Sequence, residues 1–421
     1  VSAVATRALR TSVLAALLVS AAASGASCSS AKPFDDDPFA SRCKGKPDCD
    51  GDGYLAPADC NDEDAKINPE AYDFPDGIDN DCNGKADDPV TTCETIPQTA
   101  PGSPTDFARA ADLCAQRSKT SAGAVFDPLV KAEWGFVKGY GPGQRLWQSA
   151  TKPSQVNIVS AFGKNAPRVG ATMFGMATGP WNAPDPRSTA PLDEVGFKLL
   201  DACADIPLKT EDCAVLSNGA PLGGVSVQDF AELRLWVRVP SNAQSLAFDF
   251  AFFSTEFNQF WNASLNDAFM VLAEGKNLYG TNVALDAMKR AVTVNNSLFQ
   301  LCPPFPGPDG LSPEKLDALK PCVGTAGDAS KNVFGTLEGT GYDGAAVGDG
   351  TVLGTNGKKY VYGAGTGWLR ARVNVVPRDT IVLRLILHDT FDGYKDSAVL
   401  VDGFQWDPLP AAGVERPPPP R

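Results

Sequence analysis

Three stretches of the chain alternate in character with a period of two. "ELRLWVRV" places Leu233, Leu235, Val237 and Val239 on one face. "SLAFDFAFF" sets Leu246, Phe248, Phe250 and Phe252 against Ala247, Asp249 and Ala251, and "TIVLRLILH" sets Ile381, Leu383, Leu385 and Leu387 against Val382, Arg384, Ile386 and His388. Successive strand side chains point to opposite faces, so this alternation predicts antiparallel strands packed on one side. Such runs are short and separated by Gly, Pro and Asn turns, and the chain holds 40 Gly and 34 Pro in 421 residues. The pattern predicts a mainly β chain: an antiparallel, jelly-roll-like β-sandwich over residues 120–408, with short helical insertions.

Ahead of the strands, a Pro/Thr/Ser-rich joint and a helix occupy residues 94–119. The helix reads as "TDFARAADLCAQRS", with Thr105 as N-cap, Asp106 in the first turn, and Phe107, Ala110, Ala111 and Cys114 on one side. Within the sandwich, "CPPFPGPDGLSPEKLDALKPC" predicts an insertion with a short helix capped by Ser312 and started by Pro313. Cys302 and Cys322 are placed to close that loop, and Cys203 and Cys213 to staple another, although pairings do not follow from sequence. Residues 409–421 read as a Pro-rich tail.

The first residues carry Arg7 and Arg10, an apolar run from Val13 to Ala23 and then small residues. That order predicts an export signal over 1–27, too short to span a bilayer. Cys28 follows in "SGASC", resembles the lipidated cysteine of bacterial lipoproteins, and would begin a polar tether over 28–42. Setting Cys28 aside leaves ten of the eleven cysteines, enough for five disulfides in an oxidising compartment. The expected partner at this end is a membrane, reached through the lipid.

Charge divides the chain. Residues 35–88 hold 17 acidic and 5 basic residues, a local net of −12 out of −13 overall. No basic face remains for nucleic acid. The acidic, Cys-rich module spans 43–93 and is densest in "DCDGDGYLAPADCNDED", where seven of seventeen residues are acidic. Oxygen donors stand at loop positions 1, 3 and 5 (Asp48, Asp50, Asp52), Gly53 at 6, the Tyr54 carbonyl at 7 and Asp59 at 12. That is the ligand spacing of an EF-hand-type Ca²⁺ loop. Asn61, Asp62 and Asp64 add donors. A second loop, "DGIDNDCNGKADD", offers Asp79, Asp81 and Asn83, then Asp87 and Asp88. Hard oxygens without a His select Ca²⁺.

In order, "DGDGY", "DCNDEDA", "NPEA" and "DGIDNDCNG" resemble the metal-binding repeat of MopE-like bacterial surface proteins over about 40 residues. The resemblance implies metal binding; it supplies no copper ligands here, because Cys49, Cys60 and Cys82 read as disulfide cysteines. A second resemblance rests on "AFDFAFFSTEFNQFWNASLNDAFMVLAEG", "GYDGAAVGDGTVL" and "LRLILHDTFDGYKDSAVLVDGFQW". These are similar to the bacterial choice-of-anchor L domain over residues 155–407, which implies a cell-surface protein.

Candidate chemistry in the sandwich is sparse. His388 is the single histidine, so any Ser-His-Asp device must use it. Glu256, Asp267, Asp389, Asp392 and Asp396 lie at strand ends, where they suit a second, structural metal or the two carboxylates of a glycosidase. Phe257, Phe260 and Trp261 read as core or as a sugar platform. The expected function is a Ca²⁺-binding surface lipoprotein, not an enzyme, whose sandwich binds an extracellular glycan, matrix polymer or surface protein. A secreted carbohydrate-active hydrolase using Glu256 or Asp267 is the alternative.

Overall fold

The computed structural model describes residues 46–87, 93, 102–114, 126–138, 147–149, 151–181, 197–198, 226–256, 267–285, 289, 291–294, 337, 339–342, 351–353, 359–361, 364–390 and 395–415. Expectations for the export signal, Cys28 and its tether, the 203–213 and 302–322 loops, Asp88, Asp392 and the 257–261 aromatic run lie outside these residues.

A helix, α1 (Pro104–Ala110), precedes β1 (Leu129–Trp134), β2 (Phe136–Lys138), β3 (Trp147–Ser149), β4 (Val156–Val159), β5 (Met173–Ala177) and β6 (Phe197–Lys198). The long strands β7 (Ser226–Arg238), β8 (Ser245–Ser254) and β9 (Ala268–Gly275) follow, with β10 (Leu278–Asn282) and β11 (Val292–Thr293). After β12 (Thr351–Leu353) and β13 (Lys359–Val361) come β14 (Ala364–Asn374), β15 (Thr380–Thr390), β16 (Ser397–Asp407) and β17 (Gly413–Glu415). None of the described helices is long and apolar enough to cross a membrane.

Two antiparallel sheets form the body. The first runs β1-β7-β15-β9-β10, with β6 beside β7 and β11 beside β9; the second runs β17-β14-β8-β16-β5-β4. The chain changes sheet at each step β7, β8, β9 and again at β14, β15, β16. β15 inserts between β7 and β9, and β8 between β14 and β16. This crossing gives the jelly-roll-like pattern expected from the strand runs.

The alternating residues meet as their period requires. Leu385 pairs with Leu233 on one side and Val271 on the other. Leu233, Leu235, Val237, Leu246, Phe248, Phe250, Phe252, Leu383 and Leu387 all enter one core between the sheets. Phe250 and Phe269 touch across the gap, with ring centroids 5.1 Å apart.

Packing on one side only is corrected by the structure. All ten residues of β8 are buried, because a second cluster including Met173, Trp181, Phe253, Trp368 and Leu400 covers the outer face of its sheet. On the first sheet, Arg384 and Arg234 reach Glu232 Oε1 at 2.6 and 2.7 Å. Asp249 points outward and is still 0% exposed, held by Arg370 at 2.6 Å and Arg168 at 3.2 Å. The second cluster is tight. A Cβ on Gly175 of β5 would lie 1.8 Å from the Trp181 ring. Gly175→Ala should therefore cost about 1–3 kcal/mol by overpacking, measured as a lower urea midpoint; an unchanged midpoint would contradict this packing.

α1 starts earlier than Thr105. Ser103 is its N-cap, and its N–H and hydroxyl donate to Asp106 at 2.7 and 2.9 Å. Pro104 takes the first helical position, where its missing N–H costs nothing. Phe107 packs edge-on against Trp134 at 4.9 Å and Phe174 at 5.9 Å, so the helix belongs to the sandwich core. A Cys93–Cys114 disulfide ties its end to the acidic module.

Candidate metal centre

The first acidic loop is built by its own side chains. Asp48 accepts hydrogen bonds from the Gly51 N–H (2.6 Å) and the Gly53 N–H (3.0 Å). Asp50 Oδ1 accepts from Asp52 N–H at 3.0 Å, and Asp52 Oδ1 from Tyr54 N–H at 2.7 Å. Gly51 and Gly53 take φ of 81° and 98°, left-handed values that suit glycine. The chain then folds back through Ala58 and Asp59 N–H bonds to the Leu55 carbonyl. Asp59 thus returns to the loop, with its Oδ1 accepting from Asn61 N–H at 2.8 Å.

Asp48 uses both carboxylate oxygens, whereas the turns of Asp50, Asp52 and Asp59 each use one and leave the other. Asp50 Oδ2, Asp52 Oδ2 and Asp59 Oδ2 are all buried and, among the described residues, accept no hydrogen bond. Ligand oxygens of Asp50, Asp52 and Asp59 lie within 4.8 Å of one another, as do those of Asp48, Asp50 and Asp62. Asp50 belongs to both triads. Burial, and then the charges of neighbouring aspartates, push the Asp50 and Asp59 carboxyls above their ordinary range. A cation removes that cost. The donor set fits a hard one: Cys60 and Cys82 form a disulfide, Cys49 is disulfide-bonded, and the chain's single histidine lies far away in β15. The cysteines are therefore not thiolate ligands, as the sequence leads one to expect.

The second loop repeats the scheme. Asp79 Oδ2 accepts from Gly84 N–H at 2.8 Å, Asp81 Oδ1 from Asn83 N–H at 3.1 Å, and Asn83 Oδ1 from Lys85 N–H at 3.0 Å. These match the bonds of Asp48, Asp50 and Asp52 position for position. Burial first, then the charges of Asp73 and Asp79, raise the Asp81 carboxyl to about 6. Asp87 accepts from Gly77 N–H at 2.7 Å, and Asp64 from Lys66 N–H at 3.1 Å. Among the described residues, the second loop forms no triad as tight as the first loop's. Asp62 contributes to the first loop, taking the Cys49 N–H at 3.1 Å. Asn61 serves through its backbone, and Tyr54, pushed up to about 12 by burial and then by Glu70, lies against that carboxylate.

Sequence reasoning missed how the module is seated. Tyr72 and Phe74 join the sandwich core. Tyr72 N–H donates to Asn242 Oδ1, and Asn242 Nδ2 returns a bond to the Tyr72 carbonyl, both at 2.8 Å. Arg238 pairs with Glu70 at 2.5 Å. Arg378, in the turn between β14 and β15, donates to the Asp52 carbonyl at 2.5 Å and stands 3.7 Å from its Oδ2. The faint signal was the apolar triplet Ala71, Tyr72 and Phe74 in an otherwise charged run.

At the strand ends the structure gathers Glu256, Asp267, Asp389 and Asp396, all buried, and adds Asp229 from β7. They form no triad within 4.8 Å like those of the first loop. His388 is buried beside them; its Nδ1 lies 3.2 Å from the Asp389 carbonyl and 3.3 Å from Thr390 Oγ1, and burial lowers it to about 4.

Among known families, residues 59–88 are similar to the Cu-binding MopE model, described as a "Putative metal-binding motif". The matched stretch runs from the last ligand position of the first loop through the Cys60–Cys82 disulfide and the second loop. No curated protein and no solved structure matches the chain. The chain thus carries a metal-binding motif on a mainly β body. Its disulfides and that motif point to an exported or extracellular protein.

Proposed function

We propose that this chain is a calcium-loaded bacterial surface lipoprotein whose β-sandwich binds an extracellular glycan, matrix polymer or surface protein. The observation that carries the calcium reading is that Asp50, Asp52 and Asp59 bring ligand oxygens within 4.8 Å of one another and each keeps a buried Oδ2 that accepts no hydrogen bond among the described residues. Calcium takes six to eight oxygen ligands at about 2.3–2.6 Å, from carboxylates, carbonyls and water. Asp48, Asp50, Asp52, Asp59 and Asp62 would hold it, and the ion would supply rigidity to a loop that has no core of its own. Seating of Tyr72 and Phe74 would carry that rigidity into the sandwich.

The surface role is supported by the likeness of the strand motifs to the choice-of-anchor L domain and by the signal-like start. A hydrolase is less well supported, because Glu256 and Asp267 are buried away from any polymer. Anchoring is tested in cells given labelled palmitate. Label should enter the wild type and not Cys28→Ala, and the variant alone should be released to the medium. Release of both proteins to the same extent would remove the lipid anchor from this reading.

A further inference from the structure

One end of the sandwich collects five carboxyl groups, each 2% exposed or less. Glu256 follows β8 and Asp396 precedes β16, both in the second sheet. Asp267 precedes β9, while Asp389 and Asp229 lie in β15 and β7 of the first. The group therefore spans the ends of both sheets. Asp267 is fixed in place: its Oδ2 accepts from Ser397 Oγ at 2.5 Å and its Oδ1 from Thr390 N–H at 3.2 Å, and its own N–H faces Glu256 Oε2 at 3.5 Å. The Asp396 carbonyl accepts from Thr255 N–H and Oγ1 at 3.1 and 3.0 Å, tying the ends of β8 and β16 together.

Asp389 is the anomaly. Both its carboxylate oxygens are buried and, among the described residues, accept no N–H or O–H from a neutral or basic group; its side chain meets the Asp267 carboxyl within hydrogen-bonding reach. The charges acting on it most strongly are those of Asp267, Asp229 and Asp396, all acidic. A desolvated carboxylate set among other acids is among the costliest arrangements a protein can hold, unless a cation or a proton joins it. Native structures leave few such groups without a partner.

We infer that this cluster is a buried calcium site, separate from the acidic loops, with Asp389 as its central ligand and Asp267 and Asp396 beside it. The donors are hard oxygens, which favour calcium over transition metals. The ion draws together carboxylates that repel one another in its absence, and it staples the ends of the two sheets. Its role is structural. The site is independent of the loop triads, so either can fail without the other.

Calcium bound to the full-length chain is counted by isothermal titration after chelation and desalting. Asp389→Asn, which keeps the side-chain shape, should lose one equivalent and the calcium-dependent rise in melting temperature that this site provides. Asp50→Asn should leave that equivalent in place while losing the loop's. Unchanged stoichiometry in Asp389→Asn would overturn the site, as would a variant more stable than wild type with or without calcium, the mark of a proton shared with Asp267. If Asp389→Asn does not fold, terbium decides. Tyr342, buried and within electrostatic reach of Asp396, Asp389 and Asp267, should sensitise terbium emission, and Tyr342→Phe should lose that component while binding as many calcium ions. Emission unaltered by Tyr342→Phe would overturn the site equally.

Discussion

Asp249→Ala should destabilise the protein by about 3–5 kcal/mol, the cost of leaving a buried ion pair half broken. Asp249 is fully buried, and it is bound by Arg370 through two hydrogen bonds of 2.6 and 3.0 Å and by Arg168 through one of 3.2 Å. Removing it takes from two guanidinium groups the carboxylate they share, on a face covered by Trp368 and its neighbours. The loss should appear as a lower urea midpoint at constant slope. Replacing Asp249, Arg168 and Arg370 together by apolar residues of similar volume should recover much of it, since the desolvation cost vanishes with the charges. A single variant within about 1 kcal/mol of wild type, inside the range of an exposed pair, would mean that water reaches this network.

Asp50→Ala should abolish calcium binding to the first loop, because Asp50 is the one ligand common to both carboxylate triads. Changes to groups that merely orient a ligand cost about 10–100-fold in metal affinity, so losing a ligand from both triads should cost more. Order should be lost unevenly. Residues 48–59 are held by their own aspartate turns, whereas Tyr72 and Phe74 are held by the core and by Asn242. Amide NMR of the full chain should show collapse of the first loop with the Tyr72 and Asn242 signals retained. Collapse of both together would make the module one cooperative unit; loss of neither would remove Asp50 from the site.

Much of this was legible locally. Strand faces follow from a period of two, and Phe248, Phe250 and Phe252 fall where that period puts them. The turns of the first loop follow from spacing, since aspartates at positions 1, 3 and 5 before a glycine dictate their own turns, and Asp48, Asp50 and Asp52 make them. Distant pairing was not legible. Asp249 reads as an ordinary outward residue until Arg168 and Arg370, 81 and 121 positions away, cover it. The Tyr72–Asn242 bonds span 170 positions. Asp229 sits three residues before Glu232 in the strand "SVQDFAELRLWV", and nothing nearby in sequence marks the acids it meets. Thr105 suits the cap role as Ser103 does, and the Pro104 between them, favoured at the first helical position, is the local signal of the earlier start.

The central claim, that calcium organises the first acidic loop, is tested most directly by titrating the metal-free full-length chain with Ca²⁺, Mg²⁺ and Cu²⁺ while following the amides of Asp48 to Asp59. Calcium should order them with a dissociation constant between about micromolar and millimolar, the range of sensor and extracellular oxygen-ligand sites. Magnesium should act only at higher concentration, since it demands a tighter octahedral shell, and copper should not substitute. A loop already ordered in EDTA, or one that answers copper and ignores millimolar calcium, would contradict the account.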